Sequence, residues 1–466
     1  MSACFVPDFA VIDGRLVEQP TLNVDDAGKV TSTSTGAPVR RLNGALLLPG
    51  FVNGHSHAFQ RVLRGRTELR AEGNEADDFW SWRERMYQAA TALTPEQLYA
   101  VSKQAFIEMA LAGVTTVGEF HYLQHQADGT PYDDESLLAK TVIQAARDVG
   151  LRIVLLRVGY ARAGFQVDEN PRQRRFIDTD VESFLRRVEA LRSSVKDPLV
   201  TVGVAPHSVR AVPRRWLEQL ATSVTSGPVH MHVAEQPAEL RACLAETGRR
   251  PIELLADVGL LGPRFTGVHA IHLEANEVAL LGTSKSLVCA CPSTERSLGD
   301  GIVRADELLK AGVQVSLGSD SQAHIDLLEE ARQLEGHLRL LRLGRAVLFP
   351  RVVDGPRESA LGQVLLRALT TAGARSLGVD TGALREGQPA DFVTIDLTHP
   401  SMVGVPRDAL VSAAMLGAAS AAIRDVCVQG RFIVEAGRHL DAAATSVGFR
   451  RVMAALAESR VVNAPK

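Results

Sequence analysis

Short hydrophobic runs alternate with longer segments of helical spacing through the middle of the chain. From about Gly50 to Ser376 the hydrophobic runs include GVTTVGEF, RIVLLRVGY, VTVGVAPHS, PVHMHVAE, GVHAIHL, SLVCACP and VQVSLGSD. Between them lie segments whose apolar residues recur every three to four positions, such as PEQLYAVSKQAFIEMALAG and VESFLRRVEALRSS. Strands that alternate with helices over roughly three hundred residues are typical of a closed (β/α)₈ barrel. We therefore predict an α/β protein built on a TIM-like barrel.

The two flanks of this region have a different pattern. Residues 1–49 contain short β-type runs, FAVID, GRLVEQ and GALLLPG, interrupted by glycine and aspartate. Residues 377–442 return to β-like pieces, ADFVTIDL and IRDVCVQGRFIVEAG, and residues 443–466 are predicted to form a helix and a tail. We therefore predict a metal-dependent barrel over residues 50–376 and a small β-sandwich domain that the two flanks build together.

Composition narrows the class of protein. The hydrophobic and charged fractions, 45% and 23%, are typical of a soluble, folded protein. A net charge of −3, with no long cluster of Lys and Arg, argues against a nucleic-acid partner. There is no apolar run of about 18 residues for a membrane span, and the acidic N-terminus lacks the pattern of a secretory signal. We expect a cytoplasmic protein that binds neither nucleic acid nor membranes.

The five cysteines do not indicate a disulfide framework, because they are scattered and odd in number. Cys289 and Cys291 form a C-x-C pair that could contact a metal, but no second pair supports a site with four cysteine ligands. We expect buried, reduced thiols.

Histidines at the ends of the hydrophobic runs suggest a metal site. His55 and His57 follow the apolar run GALLLPGFVN, and residues two apart on a strand project to the same face, so both could bind one Zn²⁺. His232 lies at the end of the run PVHMHV. His230 shares its face but lies one layer deeper, so His232 is the predicted ligand and His230 a packing residue. We predict that these three ligands converge, because strand ends of a parallel barrel meet at one mouth.

Asp320 is the fourth predicted ligand. It follows the run VQVSLGS, in which Gly318 allows a tight turn, and its carboxylate could bind zinc and accept a proton from a bound water. Taken alone, Asp320 could instead cap the following helix. Four ligands and a water describe a catalytic site, where zinc lowers the pKa of that water to about 7. Fe²⁺ or Mn²⁺ would also suit His and Asp ligands.

Glu235 and His269 are candidates for proton transfer. Glu235 lies three residues after His232 and could reach the centre without binding the metal, as a proton shuttle requires. His269 ends the run GVH, whereas His272 begins the following loop, so His269 is the better candidate.

Around these residues the chain resembles the amidohydrolase superfamily over nearly its whole length, and within it the formimidoylglutamate deiminase family. The stretches that carry the closer resemblance are HSHAFQR, GEFHYLQH, APHSVRAV, HVAEQ and CPSTERSLGDG. The resemblance implies hydrolysis of N-formimino-L-glutamate to N-formyl-L-glutamate and ammonia in histidine degradation. It also implies one zinc ion per subunit and a homodimer.

The resemblance further implies a role for each site residue. The ligands are those named above, and Glu235, His269 and Asp320 are the catalytic residues that move protons and orient the attacking hydroxide. Substrate binding is assigned to Gln60, Arg83, Tyr122, His207 and Arg210. A glutamyl group presents two carboxylates, which arginine binds bidentately. For each arginine the alternative is a solvated charge or an ordinary ion pair. The loop after Asp320, SQAHIDLLEEAR, departs from the family pattern and leaves His324 without a role.

Other interpretations stay open. A related mononuclear deaminase would act on a nucleobase or a similar amidine, although ring substrates favour aromatic stacking and only 5% of the residues are aromatic. A two-metal cyclic amidase usually needs a carboxylated lysine, and the run VTVGVAPHS contains none. A non-enzymatic barrel protein would be expected to lack at least one ligand or catalytic residue, and all are present.

Overall fold

Eight parallel strands form a closed barrel in the middle of the chain. The computed structural model describes residues 2–34, 36–68, 78–168 and 170–458, so the predicted tail over 459–466 lies outside the described residues. The barrel strands follow one another in chain order, each paired with the next. They are β6 (Phe51–Ser56), β7 (Val114–His121), β8 (Arg152–Gly159), β9 (Val200–Pro206), β10 (Val229–Val233), β11 (Phe265–His269), β12 (Leu287–Ala290) and β13 (Gln314–Leu317).

Each barrel strand coincides with a hydrophobic run of the sequence, and the predicted TIM-like barrel is confirmed. The strands are buried along nearly their whole length, because helices cover the outside and side chains fill the inside. This double burial explains why the runs are continuously apolar and do not alternate. The division at residues 50, 377 and 443 stays a prediction.

The helices between the strands are amphipathic. In the helix that follows β7, Leu138, Val142, Ala145 and Val149 are buried at intervals of three and four residues, and the helix ends at Gly150, whose φ is 88°. The helices are α1 (Phe79–Ala92), α2 (Pro95–Leu111), α3 (Leu137–Val149), α4 (Val181–Ser194), α5 (Arg214–Ser223), α6 (Pro237–Thr247), α7 (Pro251–Asp257), α8 (Ala275–Thr283), α9 (Pro292–Leu298), α10 (Ala305–Lys310), α11 (Leu327–Arg342), α12 (Ala360–Leu369), α13 (Thr371–Ser376), α14 (Leu410–Leu416) and α15 (Ala442–Glu458). Among the described residues, none of these helices is both long enough and apolar enough to cross a membrane.

A second sheet joins the two flanks, as predicted. Its central strand β5 pairs in parallel with β1 and antiparallel with β14, so strands from both ends of the sequence become neighbours. The rings of Phe5, Phe392 and Phe432 pack together with centroids 5.2 to 5.6 Å apart and form part of a separate apolar cluster. The strands of this sheet are β1 (Ala3–Ile12), β2 (Arg15–Glu18), β3 (Leu22–Val24), β4 (Val30–Thr31), β5 (Val39–Pro49), β14 (Phe392–Asp396), β15 (Ile423–Val428) and β16 (Arg431–Val434).

A single residue, Gly50, connects β5 of the second sheet to β6 of the barrel. A Cβ atom added to Gly50 would lie 2.3 Å from the Thr115 hydroxyl oxygen, so no larger residue fits there without a shift. The second sheet therefore fixes the start of the strand that carries His55.

The barrel closes between β6 and β13. The Asp320 amide donates to the His55 carbonyl at 3.0 Å, and the His57 amide donates to the Asp320 carbonyl at 3.0 Å. A Cβ atom added to Gly318 would lie 2.8 Å from the Cβ and the carbonyl oxygen of His55. Gly318 does not have a positive φ, so a left-handed conformation is not the reason for glycine at this position. Glycine is needed there because the two strands pack closely.

Candidate active site

The four predicted metal ligands meet at the carboxyl ends of the barrel strands. The Nε2 atom of His55 lies 3.2 Å from that of His57 and 3.1 Å from that of His232. One carboxylate oxygen of Asp320 lies 3.4 Å from His55 Nε2 and 3.3 Å from His57 Nε2. Four donors arranged tetrahedrally around Zn²⁺, with bonds of about 2.1 Å, would be about 3.4 Å apart. The spacing of the group therefore suits one divalent cation.

Hydrogen bonds orient two of the three imidazoles toward this point. The Nδ1 atom of His57 donates to the Phe120 carbonyl at 2.9 Å, and that of His232 donates to the His207 carbonyl at 3.2 Å. Burial lowers the pKa of all three imidazoles, that of His55 to about 3. Neutral His57 and His232 rings with Nδ1 protonated present their Nε2 lone pairs to each other at 3.4 Å, with no hydrogen between them. A cation resolves that repulsion, so the donor set fits a metal.

Glu235 and His269 face the same point from β10 and β11. Ala234, just before Glu235, has φ 52°, and His269 has φ 69°. Non-glycine residues rarely adopt this left-handed conformation, which here turns both side chains toward the barrel axis. The Nε2 atom of His269 lies 3.6 Å from Glu235 Oε1 and 3.6 Å from Asp320 Oδ2. One imidazole therefore lies between the two predicted proton carriers.

Glu295 orients the His269 ring through a hydrogen bond to its Nδ1 atom. The sequence patterns did not identify Glu295. One oxygen of Glu295 accepts from His269 Nδ1 at 3.2 Å and from the Cys291 amide at 2.7 Å. Burial disfavours the charged imidazole, but Glu235, Glu295 and Asp320 together outweigh it and raise the pKa of His269 well above its usual value. Glu295 lies within the quoted stretch CPSTERSLGDG, but nothing there separates it from its neighbours.

All five cysteines are buried and free. Burial raises the pKa of Cys291 well above its usual value, so it is a thiol at neutral pH. It lies near His269 and Glu295, and the hydrogen bonds to Glu295 account for this proximity without a second metal ion.

A cavity of about 50 Å³ lies beside the four predicted metal ligands. Its wall includes His57, His232, Glu235 and Asp320, together with all five residues that the resemblance assigns to substrate binding. Those five are Gln60, Arg83, Tyr122, His207 and Arg210. The structure thus brings the predicted substrate-binding residues next to the predicted ligands.

Both arginines line this cavity, and each has a buried nitrogen atom without a hydrogen-bond partner among the described residues. Arg210 is 8% exposed, and it donates to Glu235 at 3.2 Å and lies 3.9 Å from Glu239. Its NH1 atom, like Nε of Arg83, is buried without a hydrogen-bond partner among the described residues. The guanidinium of Arg83 lies 4.5 Å from the centre of the Trp80 ring. Arg210 is therefore a buried charge paired with two carboxylates, whereas Arg83 is half-buried.

The remaining substrate-binding candidates are neutral, with Gln60 and Tyr122 buried and His207 half-buried. Gln60 donates to the Tyr122 hydroxyl at 3.0 Å, and its own carbonyl oxygen has no partner among the described residues. Burial raises the pKa of Tyr122 well above its usual value. Burial, followed by the charge of Arg210, lowers the pKa of His207 well below its usual value. These groups can bind a ligand through hydrogen bonds without adding charge.

Two further histidines, His230 and His324, are not part of the ligand group. His230 donates from Nε2 to the Ser376 carbonyl at 2.7 Å, deeper in the barrel. His324 is exposed and lines a second, larger cavity of about 670 Å³ between the loop after β13 and α11. Neither is one of the four grouped ligands.

A buried chain of hydrogen bonds beneath the ligands was not predicted. The Asn53 amide donates to the Ser319 hydroxyl at 2.7 Å, which donates to Gln322 at 2.9 Å. Gln322 donates to the Ser56 hydroxyl at 2.8 Å, which donates to Glu119 at 2.6 Å. Each side chain donates to the next one, from Asn53 to Glu119. This series of hydrogen bonds links the segments of β6 and β13 that carry the predicted ligands.

Glu119 ends that chain as an acceptor. Its second oxygen accepts from the Ala58 amide at 2.8 Å. Burial raises the pKa of Glu119 to about 8, although both hydrogen bonds act in the opposite direction. A carboxyl group inside the run GVTTVGEF could have revealed it, because a charge on a fully buried strand needs buried donors.

Comparison with known proteins identifies the family. The model of the amidohydrolase family matches residues 46–433. Formimidoylglutamate deiminase from Pseudomonas aeruginosa is 37% identical over 450 residues, which cover 95% of this chain and 94% of that protein. 8-Oxoguanine deaminase from the same organism is 30% identical over 421 residues, which cover 88% of this chain and 87% of that protein. The crystal structure of an amidohydrolase from Brucella melitensis has a TM-score of 0.87 and 33% identity, covering 98% of this chain and 100% of that one.

These matches confirm the resemblance that the sequence motifs suggested. They also confirm the predicted class of enzyme, a hydrolase that acts on C–N bonds. They do not support the interpretation as a non-enzymatic barrel protein. Because the family model matches both the barrel and strands of the second sheet, the chain belongs to the amidohydrolase family.

Proposed function

We propose that this enzyme hydrolyses N-formimino-L-glutamate to N-formyl-L-glutamate and ammonia, with one zinc ion per subunit. The observation that carries the proposal is that two arginines line the cavity beside the four-ligand group, each with a buried nitrogen, Arg83 Nε and Arg210 NH1, that has no partner among the described residues. A buried guanidinium donor without an acceptor is costly, and a substrate with two carboxylates supplies acceptors. The 37% identical deiminase supports the same substrate.

The side chains of the site divide the chemistry among them. The zinc ion would be held by His55, His57, His232 and Asp320. When bound, it would act as a Lewis acid and lower the pKa of water to about 7. Asp320 would take the proton of the attacking water. Its Oδ2 atom lies 3.6 Å from His269 Nε2, so the two side chains can orient that water together.

Glu235 would deliver a proton to the leaving nitrogen, namely the proton that Asp320 takes from the water and that His269, 3.6 Å from both carboxylates, passes on. Its carboxylate suits the N–H groups of a protonated amidine, whose carbon is electrophilic. Arg210 fixes one oxygen of Glu235 at 3.2 Å, and the other oxygen lies 3.6 Å from His269. Once protonated, the amine of the tetrahedral intermediate departs as ammonia.

Deamination of a nucleobase is the second candidate. Five aromatic side chains line the cavity: Phe79, Trp82, Tyr87, Tyr122 and Tyr160. The low aromatic content of the whole chain was therefore not a valid argument against stacking of a ring substrate. The 30% identical 8-oxoguanine deaminase also favours this candidate. The two arginines favour the dicarboxylate, because a neutral base would leave their donors unpaired.

Ammonia release from a panel of substrates separates the two candidates. The zinc-loaded protein is assayed with N-formimino-L-glutamate, N-formimino-L-aspartate, N-carbamoyl-L-glutamate, guanine and cytosine. We expect the highest kcat/KM with N-formimino-L-glutamate. Turnover of a base without turnover of N-formimino-L-glutamate would overturn the proposal.

Glu235→Gln tests the proposed proton donor. We expect kcat to fall on the order of 10²- to 10⁴-fold, because the amide cannot transfer a proton. Glu246→Gln is the matched control, since Glu246 pairs with Arg162 at 2.9 Å and does not line the cavity, and its turnover should be unchanged. Near-normal turnover of Glu235→Gln would exclude this role.

We further propose that the enzyme acts in histidine degradation in the cytoplasm. The proposed assembly is a homodimer. Light scattering of the purified protein tests the assembly, and a mass of one chain would contradict it.

A further inference from the structure

Two tyrosines of the cavity wall contact a buried glutamine behind them, and the sequence assigned no role to any of the three. The Nε2 atom of Gln173 lies 2.7 Å from the Tyr87 hydroxyl oxygen and 2.6 Å from the Tyr160 hydroxyl oxygen. The three residues are 1%, 2% and 3% exposed, respectively. Both tyrosines line the cavity together with Arg83 and Arg210. We call these three residues the tyrosine cluster.

Gln173 determines which way the hydroxyl groups donate. Its Nε2 atom also faces the Ala163 carbonyl at 3.5 Å, which identifies the atom as the amide nitrogen, because an oxygen there would face another oxygen. The amide nitrogen has two hydrogens, and its two nearest acceptors are the phenol oxygens. Each phenol therefore accepts from Gln173 and keeps its own hydrogen to donate elsewhere.

The hydroxyl hydrogens have no good acceptor within the tyrosine cluster. The two phenol oxygens lie 3.4 Å apart, well beyond the usual O–H···O distance of about 2.8 Å. Burial raises the pKa of Tyr160 well above its usual value, so the group remains a donor at neutral pH. Two hydroxyl groups that can donate, on tyrosines that line the cavity together with Arg83 and Arg210, are suited to bind an anion.

The tyrosine cluster lies at the side of the cavity away from the metal ligands. The His207 ring is 5.1 Å from the ring of the ligand His232, and the Tyr160 ring is 4.7 Å beyond His207. Two ring contacts thus separate Tyr160 from the reaction centre. A substrate whose reacting carbon lies at the ligands would reach Tyr160 only with its opposite end.

We propose that Tyr87 and Tyr160, oriented by Gln173, bind the substrate carboxylate farthest from the reacting carbon and select substrates that carry it. This inference rests on the proposed function, since it requires a substrate with two carboxylates. Arg83, whose guanidinium lies 5.5 Å from the centre of the Tyr87 ring, supplies the charge at that end of the cavity. Tyr87 and Tyr160 are the specificity-determining residues, and Gln173 is a positioning residue.

Tyr87→Phe and Tyr160→Phe test this role, because each removes only a hydroxyl group. kcat/KM is measured with N-formimino-L-glutamate and with N-formimino-L-2-aminobutyrate, which lacks the far carboxylate. For the first substrate we expect a loss on the order of 10-fold for each variant, and up to 100-fold for the double variant, as for lost hydrogen bonds to a charged group. For the second substrate the value should stay near that of the wild type.

The outcomes distinguish this inference from the proposed function. Equal losses with both substrates, or no loss with either, would overturn the role of the tyrosines while leaving the reaction intact. Absence of turnover of N-formimino-L-glutamate by the wild type would instead overturn the proposed function. Tyr99→Phe is the matched control, since Tyr99 bonds to Asp148 on the outer helices and should affect neither substrate.

Gln173→Glu tests the positioning role. A carboxylate in place of the amide would accept from both phenols and withdraw their hydrogens from the cavity. We expect the preference for N-formimino-L-glutamate over the monocarboxylate to fall, as in the double tyrosine variant. An unchanged preference would exclude the role of Gln173. If this variant does not fold, the tyrosine variants alone decide between selection and a purely structural role.

Discussion

Glu119 supports the segment that carries His55 and His57 through two hydrogen bonds. It accepts from the Ser56 hydroxyl and from the Ala58 amide, one bond to each carboxyl oxygen. The backbone between those two donors carries a predicted ligand, so the carboxylate fixes where that imidazole lies. Partners that orient ligands in this way commonly affect metal affinity nearly as much as the ligands do.

Glu119→Gln should lower zinc affinity about 10- to 100-fold. An amide has one acceptor oxygen, so it cannot accept from both donors, and the Ser56 hydroxyl loses its partner. Competition with a chromophoric chelator measures the affinity. Glu330→Gln is the matched control: burial also raises the pKa of Glu330 to about 8, but that carboxylate accepts from the Ser293 amide. An equal loss in both variants would contradict a specific role for Glu119.

The sequence predicted single residues where residue type and position together indicate a chemistry. His55, His57 and Asp320 lie at or just beyond the ends of apolar runs, which is enough to place them at one mouth of a barrel. Glu119 could be noticed only as a carboxyl group inside a buried run, and Gln173 could not be noticed at all, because Ser56 and Tyr87, with which they form hydrogen bonds, are distant in the chain. A hydrogen-bond partner more than 50 residues away leaves no local pattern.

Helix α1 contributes more side chains to the cavity than any other single helix of the described chain. It supplies Phe79, Trp82, Arg83, Met86 and Tyr87. A cavity of about 50 Å³ has room for one or two water molecules. Because α1 forms so much of this wall, its position affects how a substrate fits the cavity.

Asp78→Ala should raise KM several-fold with a small effect on kcat. Asp78 caps α1 by accepting from the amides of Trp80 and Ser81, and loss of such a cap destabilises a helix by about 1 kcal/mol. Steady-state kinetics with N-formimino-L-glutamate measure the change. Asp180→Ala removes the equivalent cap of α4, outside the cavity, and should leave KM unchanged. A similar change of KM in both variants would indicate a general loss of stability.

Elements with a clear period were predictable, and their packing was not. The predicted segment VESFLRRVEALRSS corresponds to α4, and PEQLYAVSKQAFIEMALAG covers α2. The periodicity shows which face of a helix is buried, but it does not show that α1 lies over the cavity or that a short turn brings Gln173 to the tyrosines. Those positions follow from loop conformations, which no periodic pattern encodes.

At the scale of the whole molecule, the alternation of strands and helices was sufficient to predict the barrel, because short right-handed βα connections leave few other arrangements. The flanks were predicted to pair, and they do. That β5 lies between β1 and β14 could not be predicted, since the pairing joins strands separated by the entire barrel. Long-range pairing of short strands depends on the whole fold and not on local sequence.

Removal of zinc should loosen the barrel at one place more than elsewhere. The proposed ligands lie on both sides of the junction between β6 and β13, where the His57 and Asp320 amides form the closing hydrogen bonds. Hydrogen exchange of the zinc-free protein should therefore increase most at these two amides, compared with those of β8 and β9. Zinc at 100 times its Kd should restore about 2.7 kcal/mol of stability. A uniform increase along the chain would contradict this expectation.

The pairing of β5 with β14 also affects how the chain is made. β5 emerges from the ribosome early, but the strand that covers its second edge follows only after the whole barrel has been translated. Until then the nascent protein exposes unpaired backbone groups next to a hydrophobic surface, which invites association between chains. A protein truncated before β14 would keep every proposed ligand, and we expect it to form inclusion bodies and not a soluble enzyme of lower activity.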